Sequence, residues 1–149
     1  MACSIILVSI YHIAISPITG WDAILYSFLL VATSNATNLT DGLDGLLAGL
    51  SLLSLMGFYG YFMVIQGGPL QLITGIAAIG IGTFLWVNYH PSKIFMGDTG
   101  SLAIGALLAA LAIASKNPWV IISLGAVYII ETLSVIIQVA VFKRTKKRV

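Results

Sequence analysis

From Gly45 to Ser92 the chain contains no aspartate, glutamate, lysine or arginine, and most of its side chains there are apolar. The five acids are Asp22, Asp41, Asp44, Asp98 and Glu131, and apart from the neighbours Asp41 and Asp44 they are separated by long, nearly uncharged segments. A soluble domain carries about 25% charged residues. Here only 8% of 149 residues are charged and 59% are hydrophobic. Segments of this kind are satisfied in a bilayer as helices, which close all their backbone hydrogen bonds internally. The expected fold is therefore all-α, a polytopic transmembrane helix bundle forming a single transmembrane domain over residues 1–149. At about 20 residues per span, the chain has room for about six spans.

Turn residues punctuate the apolar runs and place spans near 2–16, 22–38, 44–66, 70–88, 100–115 and 118–142. The breaks at 38–45 and 89–100 are long and polar; those at 16–20, 66–69 and 116–118 are short. Alternation puts the two long breaks and the end after 142 on one side. That side collects Lys93, Lys143, Arg144, Lys146, Lys147 and Arg148, while the other receives Asp22 and Lys116. By the positive-inside rule the acid-bearing loops face the cytoplasm. Cys3 is the only cysteine, which excludes an intrachain disulfide and cysteine-based metal sites. The apolar start at Met1 reads as the interior of a helix rather than a secretory signal.

The stretch Ser34 to Gly45 is the most informative. Asn35, Asn38, Asp41 and Asp44 recur every third residue, so a helical backbone would align them on one face. A polar stripe at a membrane boundary is costly unless it binds something. Gly42 and Gly45 each follow an aspartate, where the missing Cβ permits positive φ or close approach to a ligand. A simple helix break with capping side chains is the plainer alternative. The second stretch, Asn88 to Ser101, contains Gly97-Asp98-Thr99-Gly100-Ser101 at a helix start. There Asp98 can cap the helix and free N–H groups can meet a phosphate. Mg²⁺ favours carboxylate oxygens and needs only one or two of them alongside water and phosphate, which makes Asp98 the first candidate ligand. Together the loops point to phosphate chemistry, with a carboxylate available to deprotonate or orient an attacking oxygen.

Other residues carry less. His12 reads as a packed residue, His90 as a loop residue within reach of substrate, and the basic tail as an ordinary positive-inside end. The Asn35-Ala36-Thr37 and Asn38-Leu39-Thr40 glycosylation patterns are accidental on a cytoplasmic loop. Glu131 lies at membrane depth and would suit a proton relay, but only His12 is ionisable at comparable depth.

Asn38-Leu39-Thr40-Asp41-Gly42-Leu43-Asp44-Gly45, taken with Phe95-Met96-Gly97-Asp98-Thr99-Gly100-Ser101, resembles the polyprenyl-phosphate N-acetylhexosamine-1-phosphate transferases. Val141 to Thr145 resembles the lead into that family's next cytoplasmic loop. The resemblance implies a multi-pass enzyme of the bacterial cytoplasmic (inner) membrane. Its implied reaction is Mg²⁺-dependent transfer of phospho-MurNAc-pentapeptide from UDP-MurNAc-pentapeptide to undecaprenyl phosphate, forming lipid I and UMP. Asp98 then matches the Mg²⁺ ligand and Asp41 an acid of catalysis or substrate contact. Leu39, Gly42 and Asp44 match the uridine pocket, Phe95 would stack on uracil, Asn88 would lie beside that pocket, and Asn38 would contact the sugar phosphate. Membrane lipid is an implied partner, a homodimer is compatible, and no nucleic acid is implied. A GlcNAc-1-phosphate transferase and an inactive membrane scaffold are the alternatives.

The family's early aspartate pair, its lysine-containing motifs and its late histidine run have no counterpart here. The expectation is that residues 1–149 represent the middle-to-late part of a roughly ten-span enzyme and are inactive alone.

Overall fold

The computed structural model describes residues 20–65 and 67–145. The expected span at 2–16, Cys3, His12 and the end of the basic tail lie outside the described residues. Six helices follow in order: α1 Gly20–Thr40, α2 Leu46–Ile65, α3 Pro69–Asn88, α4 Gly97–Ala114, the short α5 Val120–Leu124, and α6 Ala126–Thr145. Among the described residues there is no strand. Helices α2, α3, α4 and most of α6 are long and apolar enough to cross a membrane, which makes this a multi-pass membrane protein. Asp22 and the polar run Ser34–Thr40 interrupt the apolar stretch of α1, which is not among these four.

The helices start and stop for local reasons. Pro69 occupies the first turn of α3, where its missing N–H costs nothing. Gly67 and Gly68 turn the chain before it with φ of 60° and 74°. The polar end of α1 is tolerated because its side chains bond back to the preceding turn. Asn35 donates to the Val31 carbonyl at 2.8 Å and Thr40 to the Ala36 carbonyl at 2.8 Å.

Helix α4 is the central element, with half of its span buried. It packs most extensively on α1, while α2 packs on α3. Leu108, Leu111 and Ala112 of α4 join Leu55, Phe58 and Phe62 of α2 in the core, where the two phenylalanine rings stack with centroids 6.1 Å apart. The α1–α4 crossing is tight at Gly105: a Cβ there would lie 2.5 Å from Ser34 Cα and 2.7 Å from the Thr33 carbonyl oxygen. Small residues permit such approach where no hydrophobic effect drives helices together. The outward faces keep large apolar side chains exposed, such as Leu72, Ile79 and Trp86 on α3.

The expected last span, 118–142, is broken. Helix α5 ends at Leu124, Gly125 caps it, and α6 restarts at Ala126. The joint rests on α2, where Ser54 Oγ donates to the Leu124 carbonyl at 2.7 Å and Ser51 Oγ lies 3.0 Å from Tyr128 Oη. Leu124 belongs to α5 and Tyr128 to α6, so both sides of the joint are tied to α2. Lys143 and Arg144 occupy the last turn of α6.

Candidate active site

Helix α1 stops at Thr40, so the every-third-residue stripe does not continue as a helical face. Asp41 to Gly45 form turns, closed where Gly45 adopts φ 71° and donates its N–H to Asn88 Oδ1 at 3.1 Å. A Cβ on Gly45 would sit 3.6 Å from both the Asn88 carbonyl and Leu85 Cδ1, in ordinary contact, so it is the left-handed backbone that selects glycine. Gly42 is exposed and makes no close approach. Asn35 stays with its own helix backbone and does not join the other polar groups.

Two carboxylates from distant parts of the chain meet at this end of the bundle. Asn38 Nδ2 donates to Asp98 Oδ1 at 3.1 Å and to Ser101 Oγ at 2.9 Å. Asp41 Oδ2 accepts the Gly97 backbone N–H at 2.8 Å. This corrects the expectation for Asp98, whose side chain makes no capping bond at the start of α4. The group that satisfies that helix start is Asp41 of the distant 41–45 loop, and Asp98 lies one residue inside the first turn, where the helix dipole favours a negative charge. Buried Thr37 completes the crossing, with Oγ1 2.9 Å from the Ser101 carbonyl. Burial pushes the Asp41 carboxyl above its ordinary value; the Gly97 N–H opposes that shift and the nearby Asp98 charge adds to it.

Asp44 belongs to a second cluster. Its Oδ2 lies 2.8 Å from His90 Nδ1 and accepts the Ser92 N–H at 3.2 Å. The Ser92 N–H first, then the His90 bond, hold its carboxyl below the ordinary value. Asn88 is almost wholly buried and ties the two loops together. It accepts from Gly45 N–H while its Nδ2 donates to the Ile94 carbonyl at 2.8 Å. Leu39, Leu43 and Phe95 remain exposed around these clusters.

Sequence reasoning expects close helix packing at Gly105 but missed Thr37 and Ser101 as the residues that seat Asn38 against Asp98. The signal was present, since Gly97, Ser101 and Gly105 place small residues every fourth position on one face of α4.

Among the described residues no three histidine, cysteine or acidic side chains cluster tightly enough to enclose a metal. The donor set fits a cation that takes part of its shell from substrate. Asp41 and Asp98 offer carboxylate oxygens beside a helix start, as Mg²⁺ uses them with phosphates.

The chain matches glycosyl transferase family 4 over residues 1–116 and belongs to that family. It is 45% identical over 139 residues to the phospho-N-acetylmuramoyl-pentapeptide-transferase of Moorella thermoacetica, covering 89% of this chain and 44% of that protein. The protein of the same name from Geobacillus thermodenitrificans is 50% identical over 134 residues, covering 87% of this chain and 40% of that protein. The chain thus spans about two fifths of the length of these relatives.

Proposed function

We propose that this chain is part of a membrane phosphosugar transferase that moves phospho-MurNAc-pentapeptide from UDP-MurNAc-pentapeptide to undecaprenyl phosphate, releasing UMP and forming lipid I. The observation that carries the reading is the meeting of Asp41 and Asp98 at one end of the bundle, with Asn38 donating to Asp98 and the α4 N-terminus donating to Asp41. The printed names of the relatives support the same chemistry. Alternation of the spans carries Lys143 and Arg144, in the last turn of α6, to the same side as these loops, which supports a cytoplasmic site in the bacterial inner membrane.

In this reading Asp98, with Asp41 beside it, would hold Mg²⁺. When bound, the cation neutralises charge developing on the leaving UMP. The raised carboxyl of Asp41 suits it to take a proton from, or orient, the acceptor phosphate. Asn38 keeps the Asp98 carboxylate in place and reaches toward the sugar phosphate. Exposed Phe95 offers a ring for uracil, with Leu39, Gly42 and Asp44 around it.

An apolar cavity of about 520 Å³ supports a lipid-tailed acceptor. It lies between α1, α2, α4, α5 and α6 and is lined by Thr33, Ala36, Phe58, Leu108 and Leu133 among others.

The test is Mg²⁺-dependent UMP release in detergent. The protein is the chain extended by the flanking segments of the Moorella thermoacetica relative, compared with its Asp98→Asn variant. Release that Asp98→Asn abolishes is expected. A folded extended protein that releases no UMP overturns the reading.

A further inference from the structure

We infer that His90 is a positioning residue for the nucleotide donor, holding the Asp44 carboxylate so that its second oxygen faces the bound base. The inference rests on the donor reading proposed above and concerns a residue to which that reading assigns no role.

The geometry is specific. An ionised carboxylate can only accept, so His90 Nδ1 at 2.8 Å carries the proton and Nε2 is directed away. The Ser92 N–H reaches the same oxygen, Oδ2, at 3.2 Å. Both described bonds therefore fall on one side of the carboxylate, and Oδ1 is left to receive an N–H from a ligand. The donors come from the arm 89–96, whose other fixed point is buried Asn88, and the same arm presents exposed Phe95. His90 is thus the side chain that joins the carboxylate in one loop to the arm that carries the ring.

Stability does not explain the pair. The His90 side chain is 79% exposed, and exposed ion pairs add little to stability. Its consequence lies in orientation: without His90 the carboxylate keeps a single backbone donor and gains rotational freedom. A bond made equally to bound donor and to transition state affects KM and leaves kcat alone.

The experiment uses the extended protein of the UMP assay and measures kcat and KM for UDP-MurNAc-pentapeptide. His90→Ala is expected to raise KM about fivefold with kcat within about twofold, the scale of one exposed charge-assisted contact. His90→Asn places an amide N–H close to where Nδ1 stands and is expected to restore KM, whereas His90→Gln, which extends toward the Nε2 position, is not. In the Asp44→Asn background, His90→Ala is expected to add nothing further. An unchanged KM in His90→Ala, equal losses in the alanine and asparagine variants, or additive effects in the double variant overturn the inference and leave the transferase reading standing. Absence of UMP release from the parent protein overturns both.

Discussion

Asp41 and Asp44 stand three residues apart in one loop, yet the protein shifts their carboxyls in opposite directions. Asp41 is turned against α4, where burial and the neighbouring Asp98 charge raise it despite the Gly97 N–H. Asp44 is turned toward the 89–96 arm, where the Ser92 N–H and His90 lower it. The spacing in the chain is what makes the divergence possible, because an interrupted helix lets successive acids face different neighbours. Two carboxylates with opposed environments are suited to different work, one to handling a proton and one to remaining a fixed negative acceptor.

The largest expected effect breaks the comparison directly. In the extended protein, Asp41→Asn is expected to lower kcat by about 10²-fold or more, the range of a lost acid–base group. Asp44→Asn is expected to act mainly on KM for the nucleotide donor. Steady-state kinetics on both variants check this, and equal losses of kcat would erase the distinction between the two halves of the loop.

A smaller effect separates the halves structurally. Gly105→Val would force α1 from α4 at Ser34 and Thr33 and is expected to destabilise the protein by about 1–3 kcal/mol, as overpacking does. Asn38 should move away from Asp98 while the His90–Asp44 contact persists. Unfolding in mixed micelles measures the first outcome, and a distance label across each pair measures the second. Gly60→Val, where a Cβ would meet nothing within 4 Å, serves as the control.

The smallest effect is on stability against pH. Asp41 is raised above 3.8, so its contribution to stability is complete below 3.8 and is lost as pH rises through the raised value. Asp44 is lowered, so its contribution is present above 3.8 and is lost as pH falls through the lowered value. Stability measured against pH should therefore lose its slope just above 3.8 in Asp41→Asn and just below it in Asp44→Asn. Identical profiles for the two variants would show that the surroundings do not distinguish them.

Much of the fold can be read from the chain because a bilayer imposes a simple rule. Uncharged runs between polar breaks must be helices, and the observed α1 to α4 start and end within a few residues of the expected spans. The break at Gly125 was not legible, since the sequence around it is as apolar as a continuous span. Ser54 and Ser51, far away in the sequence, are what supply partners for the Leu124 carbonyl and Tyr128.

The candidate site divides in the same way. The polar loops, their shared end of the bundle and the residue types needed for phosphate chemistry follow from composition and alternation alone. The end of α1 at Thr40, the capping of α4 by Asp41 rather than Asp98, and the seating of Asn38 by Thr37 and Ser101 do not. Hydrophobic pattern is set by the solvent each segment meets, and a sequence records it residue by residue. The partner of a carboxylate is set by which distant backbone comes within about 3 Å of it, and only the packed bundle decides that.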